Sequence, residues 1–137
     1  MLTLEIITPK QVMLNTQVKQ VTLPGDAGEM GVLPGHLQLL TSLNSGVLKY
    51  TVDNEIHVMA VHYGFAEVNN DQVTVLANEA EAVDGIDLET AQADVESLTT
   101  QLNQAEKLSA EAAQLTQELT QAETRFAAAS AHQAKHH

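Results

Sequence analysis

The sequence predicts a mainly β fold with a helical extension: an antiparallel β-sandwich or barrel over residues 1–85, then a two-helix antiparallel hairpin over 86–137. Three observations predict it. All seven glycines and all three prolines lie at or before Gly85, so the breakers that turns require stop at one point of the chain. Before that point apolar and polar residues alternate, as in Leu2-Leu4-Ile6 and Val47-Tyr50-Val52, the period of strands covered on one face. After it the chain is dominated by Ala, Gln, Glu, Leu and Thr, and its apolar residues recur every three or four positions, the period of an amphipathic helix.

Taken in order, the first part is a series of short strands. Asp53-Asn54 and Asn69-Asn70-Asp71 are the expected hairpin turns, because Asn and Asp tolerate positive φ. Many short strands at this spacing imply a sandwich or barrel. The first helix begins at Asp87, whose side chain is placed to cap it, with Ile86 outside the cap and Ala91 four residues in as a hydrophobic staple. Glu89 in the first turn suits the helix dipole. Leu88, Ala91, Val95, Leu98, Leu102 and Ala105 form one apolar stripe. Leu108, Ala112, Leu115, Leu119, Ala122, Phe126 and Ala129 form a second. The phase slips by one residue between them, which predicts a joint near residues 103–110. Two helices joined there pack antiparallel and bury both stripes. The joint holds no Gly or Pro, so one continuous helix is also open to the chain. At 1.5 Å per residue the first helix would be roughly 27 Å long and a continuous one about 66 Å.

The totals exclude several functions. A formal net charge of -12 with only six Lys and Arg in 137 residues argues against nucleic acid, since phosphates are neutralised by clustered cations, and against docking on anionic lipid. With no cysteine there is no disulfide, no thiolate nucleophile and no thiolate zinc site. No apolar run approaches the roughly 20 residues of a membrane helix, and Met1-Leu2-Thr3-Leu4-Glu5 does not resemble a signal peptide, so a soluble, unexported chain is expected. Aromatic residues make up 3%, so a core must be built from aliphatic side chains.

The stretch Leu23-Pro24-Gly25-Asp26-Ala27-Gly28-Glu29-Met30-Gly31-Val32-Leu33-Pro34-Gly35-His36, followed by Leu39-Leu40-Thr41, resembles the epsilon subunits of F-type ATP synthases. So do Ile7-Thr8-Pro9, Gly46-Val47-Leu48, Gly64-Phe65-Ala66-Glu67-Val68 and Val73-Thr74-Val75-Leu76. The match spans residues 2 to 91 in order and spacing, and continues along the tail in layout. It implies a ten-stranded antiparallel sandwich at the foot of the central stalk, against the gamma subunit and the c-ring. The turns carrying Glu29, Met30 and Gly31 and then Pro34 and His36 would meet the polar loops of that ring. Glu29 and His36 are the side chains expected to make the contact. Without the resemblance, Glu29 is a solvated turn carboxylate and His36 a loop-capping residue.

The resemblance also implies a regulatory hairpin, folded on the sandwich in one state and extended along gamma toward the catalytic alpha and beta subunits in another, where it blocks hydrolysis. Its packing residues would be Leu88, Val95, Leu98, Leu102, Leu115, Leu119 and Phe126. In many bacterial relatives ATP holds the folded state at an Ile-Asp-x-x-Arg-Ala motif. Here the corresponding run is Ile86-Asp87-Leu88-Glu89-Thr90-Ala91, so Thr90 stands where the family has Arg. Threonine supplies neither the charge nor the forked donors of a guanidinium, and the nucleotide site at Ile86, Asp87 and Ala91 is expected to be weak or lost, leaving no cofactor. From Asp87 onward eight acids face only Lys107, Arg125 and Lys135, a balance that opposes docking on an acidic partner. The implied location is peripheral, at the cytoplasmic face of a bacterial plasma membrane or on a thylakoid membrane, through the complex alone.

No catalytic or metal constellation emerges. His57 and His62 lie five apart in a strand and so on opposite faces, and each is expected at the surface. His132 and His136 have helical ligand spacing but sit in a fraying tail. The sequence contains no Walker loop, nucleophile elbow or HExxH element. The expectation is a noncatalytic coupling subunit, with a nucleotide-sensing module in which the hairpin grips ATP as the alternative.

Overall fold

The computed structural model describes residues 1–35 and 38–135. Seven strands, β1 (Leu2–Ile7), β2 (Val12–Val18), β3 (Gln20–Gly25), β4 (Gly28–Val32), β5 (Leu39–Val52), β6 (Glu55–Asn69) and β7 (Gln72–Ala82), precede a 3-10 turn, Val83–Gly85. Helices α1 (Leu88–Gln104) and α2 (Ala110–Lys135) follow. The strands form one continuous sheet in the order β2-β1-β7-β6-β5-β3-β4. The ten separate strands expected are thus not seen among the described residues; three of the seven, β5, β6 and β7, run 14, 15 and 11 residues. The pairing is antiparallel except between β1 and β7, which are parallel. That corrects a purely antiparallel expectation: the first strand is laid beside the last, and the intervening chain makes the crossover.

A corner divides the long strands. Inward residues are Met59 and Val61 before it on β6 but Ala66 and Val68 after it; on β7 they change from Val73, Val75 and Ala77 to Ala80, and on β5 from Leu39 and Leu43 to Leu48 and Tyr50. The alternation therefore changes phase near Asn44, Tyr63 and Asn78, while the register on either side stays the same. Tyr63 and Gly64 take φ of 63° and 127° there. A Cβ on Gly64 would lie 2.1 Å from the Leu76 carbonyl oxygen, so a close approach of two backbones requires glycine. The bent sheet encloses an aliphatic core including Leu2, Leu4, Ile6, Val18, Val21, Leu23, Val32 and Leu48.

Both expected turns form. Asp53, at φ 54°, joins β5 to β6, and Asn70 and Asp71, at 50° and 63°, join β6 to β7. Asp87 caps α1 through Oδ2, which accepts from the Thr90 amide at 3.1 Å and from its hydroxyl at 2.6 Å. The joint falls at residues 105–109, as the phase slip predicts. Leu108 is a correction: instead of extending the second stripe it sits in the joint at φ 65°, fully exposed, because α2 starts only at Ala110 with Ser109 Oγ accepting from the Ala112 amide.

Along the hairpin, Ala91, Leu115, Ala122 and Ala129 are buried, and Leu88, Val95, Leu98, Leu102, Leu119 and Phe126 are half-buried. Helix α2 has a second covered side that the two stripes do not contain. Thr124 and Ala128 are buried there, Ala128 packing with Ala60 and Val83 while Val47, Val58 and Ile86 close around them. The hairpin lies through this side on the outer face of β5 and β6.

Candidate functional site

The corner and α2 together create a polar junction. Because the phase changes at Tyr63, His62 points away from the aliphatic core and under α2, where it is 1% exposed. This overturns the expectation of a surface histidine. Alternation put His57 and His62 on opposite faces, but which face the folded hairpin covers was not foreseen. Its Nδ1 lies 2.9 Å from Ser45 Oγ, and Ser45 Oγ lies 2.8 Å from Thr124 Oγ1. Thr124 Oγ1 in turn lies 3.0 Å from the Thr120 carbonyl oxygen. On the other ring edge Nε2 lies 2.8 Å from Glu81 Oε2, the same oxygen that accepts from Arg125 Nε at 2.7 Å. The His62 hydrogen bond, helped by the hydrogen bond and charge of Arg125, holds the Glu81 carboxyl below the usual carboxylate range against the opposing effect of partial burial. Three side chains of the sheet and two of α2 thus share one network across the junction. A run of small or hydroxylated residues on α2, Thr120, Thr124, Ala128 and Ala131, is the sequence signal that marks the side laid on the sheet.

Beside this junction is a groove of about 280 Å³ lined by Glu81, Gly85, Ile86, Asp87, Thr90, Ala91, Asp94 and Arg125. It holds the residues matched to the family's nucleotide motif. Its chemistry is poor for a polyphosphate: Glu81, Asp87 and Asp94 face the single cation Arg125, which Glu81 already binds. Thr90 donates its hydroxyl to Asp87, and these bonds hold the Asp87 carboxyl below its ordinary range. The groove is slightly smaller than the ~300 Å³ at which small-molecule sites begin.

The residues expected to meet the c-ring lie along one edge. Strand β4 is an edge strand; on it Glu29 and Gly31 are exposed and Met30 is half-buried, and exposed Pro34 follows in a turn. Pro34 follows Glu29 by five residues, a reach of at most roughly 17 Å of extended chain. Glu29 also borders a groove with Ala127 and Ala131 of α2. Gly35 donates its amide to Asp71 Oδ1 at 2.8 Å, which ties the Pro34 turn to the β6-β7 turn. His36 lies outside the described residues, as does His136. Among the described residues no group of three or more His, Asp or Glu is placed to hold a metal ion, and no helix is long and apolar enough to cross a membrane.

Residues 1–83 match the family model of the ATP synthase, Delta/Epsilon chain, beta-sandwich domain. The ATP synthase epsilon chain of Citrifermentans bemidjiense is 49% identical over 92 residues, 67% of each chain. The chloroplastic epsilon chain of Guillardia theta is 38% identical over 128 residues, 93% of this chain and 97% of that one, so the likeness runs on through both helices. A chain in a cryo-EM structure of Euglena gracilis mitochondrial ATP synthase, comprising OSCP, F1 and c-ring, superposes with a TM-score of 0.82 at 25% identity, covering 93% of this chain and 80% of that chain. With a sandwich matched across all seven strands and a relative matched across the hairpin as well, this chain belongs to the delta/epsilon chain family of ATP synthases.

Proposed function

We propose that the chain is a noncatalytic rotor subunit of the central stalk of a proton-translocating F-type ATP synthase. The observation that carries this is the likeness over 93% of the chain to an ATP synthase epsilon chain, sandwich and hairpin together. In this reading the sandwich couples c-ring rotation to gamma and the alpha/beta head, and the hairpin biases the direction of rotation. Residues 1–85 and 86–137 are two units: the aliphatic core consists of strand residues alone, and the hairpin joins it through the Ala60–Val83–Ala128 cluster and the His62 network. Counting each of the three long strands as two about its corner gives the ten strands that the family resemblance implies. Glu29, Met30, Gly31 and Pro34 lie on the edge that meets the c-ring and gamma, and the resemblance assigns His36 to the same contact. Attachment to the membrane is peripheral, through the complex, on the cytoplasmic face of a bacterial plasma membrane.

ATP is not a ligand of this chain. The groove at Ile86, Asp87 and Ala91 offers three carboxylates and one engaged arginine, and Thr90 spends its hydroxyl on the cap. Calorimetry of the full chain with ATP is expected to show no saturable heat; tight binding would instead favour the nucleotide-sensing module.

The central test is pull-down with gamma and the c-ring, where retention of the chain is expected and its loss would sink the reading. The hairpin's part is tested separately. Cysteines replacing Val95 and Leu119 are expected to lock the folded hairpin when oxidised, leaving synthesis intact. Equal inhibition of hydrolysis with and without the lock would remove the switching role.

A further inference from the structure

We propose that the open edge of β6 at residues 55–58 is a docking slot for an extended segment of a partner protein, taken up as an added strand with an arginine at its centre. Pairing between β6 and β7 stops at Met59–Ala82, whereas pairing between β5 and β6 runs on to Val52–Glu55. The stretch from Glu55 to Val58 thus has β5 on one side and, among the described residues, no strand on the other. Every second residue of such a strand turns both its amide and its carbonyl to the open side, which makes the edge a template for main-chain pairing. The edge carries neither of the usual guards, lysine or proline, and its Ile56 is 54% exposed.

A groove of about 760 Å³ runs along this edge, within the ~300–1,000 Å³ of ligand sites. A groove laid on one face of a sheet is lined by alternate residues. This one is lined by Glu55, Ile56, His57, Val58 and Met59 in succession, so it follows the flank of the backbone. Its inner side opens on Met13 and Leu14 at the mouth of the sandwich, and it reaches Ala131 of α2 on the outer side. An added strand would therefore set its alternate side chains against apolar walls on both faces.

The inner side selects a cation. Tyr50 and His57 stack there with ring centroids 5.2 Å apart and planes at 22°, and 38% of the His57 side chain is accessible. Asp84 stands close enough to help push the Tyr50 phenol up, after the larger effect of burial. Its carboxylate has no hydrogen bond or ion pair among the described residues. A guanidinium lies flat on an aromatic face and pairs with a carboxylate in its own plane, so an arginine fits this stack and this acid together. Lys49 also borders the groove, but alternation turns it to the face of β5 opposite Tyr50. A second copy of this chain fits poorly: each carries a net charge of -12, and edge-to-edge pairing would bring Glu55 and Asp84 against their own counterparts.

The test titrates the full chain with the end-blocked peptide Thr-Val-Arg-Val-Thr and follows NMR shifts to about 5 mM peptide, where a millimolar complex is mostly formed. Saturable shifts are expected at the amides from Glu55 to Val58 and at the Met13 and Met59 methyls. Norleucine in place of the peptide's arginine, or Asp84→Asn in the chain, should each weaken binding roughly tenfold. The two losses together should fall short of their sum, because both remove one interaction. N-methylation along one flank of the peptide should abolish binding and along the other leave it, since a single flank meets β6. No saturable shift, shifts centred elsewhere, or equal tolerance of methylation on both flanks would overturn the slot. Equal affinity for the norleucine peptide would overturn the arginine. Self-association of the free chain through these same amides, seen by sedimentation and on NMR dilution, would give the edge to a second copy and overturn the proposal as well.

Discussion

Glu81 receives two donors, His62 and Arg125, on one oxygen. Its carboxyl is held below its ordinary range, so the stabilisation it gives is complete above that range and is lost as pH falls through the depressed value. In Glu81→Gln the acid-labile part of hairpin docking in that lower range should disappear, measured as the pH dependence of amide exchange in α2. Arg125 is partly exposed, with 30% of its side chain accessible, so Arg125→Ala should weaken docking by only about 0.5–1 kcal/mol in the same measurement. Gly64 is less forgiving. A side chain there meets the Leu76 carbonyl and forces a φ of 127° on an L-residue, so Gly64→Ala should cost about 2–4 kcal/mol in urea unfolding.

Among the elements, the joint between the helices gives the sharpest lever. Leu108 is exposed and left-handed in the folded hairpin, yet in a continuous helix it would be an ordinary helical leucine. Glycine in its place removes about 1 kcal/mol of strain from the turn and costs the continuous helix about 1 kcal/mol. Leu108→Gly should therefore favour the hairpin by roughly thirtyfold, read as a shift in donor–acceptor distance across the joint. The joint itself was legible in the sequence, because the stripe phase slips there. So was the Asp87 cap, whose residue types are specific. The second side of α2 was missed: the run through Thr120, Thr124, Ala128 and Ala131 signals close packing, but its burial depends on a sheet face elsewhere in the chain. His62 was misplaced for the same reason, since strand alternation assigns a face but does not say what will cover it.

For the whole molecule, the split between cores sets what can be removed. The aliphatic core draws only on strands, so a chain ending at residue 85 should keep its sheet and a cooperative unfolding transition, with Tm lowered by roughly 5–10 °C through exposure of Ala60, Val83 and His62. Loss of the transition would show the hairpin to be part of one folding unit. The number of strands, by contrast, could not be read from local pattern, because a corner that changes phase without shifting register looks like the end of one strand and the start of another. The parallel contact of β1 with β7 was equally hidden, since it joins Thr3–Ile7 to Gln72–Leu76 with no local signature at either end. That contact has a consequence for how the protein is made. One flank of β1 has no mate until β7, the last strand of the sheet, has left the ribosome, and pairing between distant segments is slow to form. During that interval Leu2, Leu4 and Ile6 are apolar residues without a core, so β1 is the stretch on which a chaperone would act.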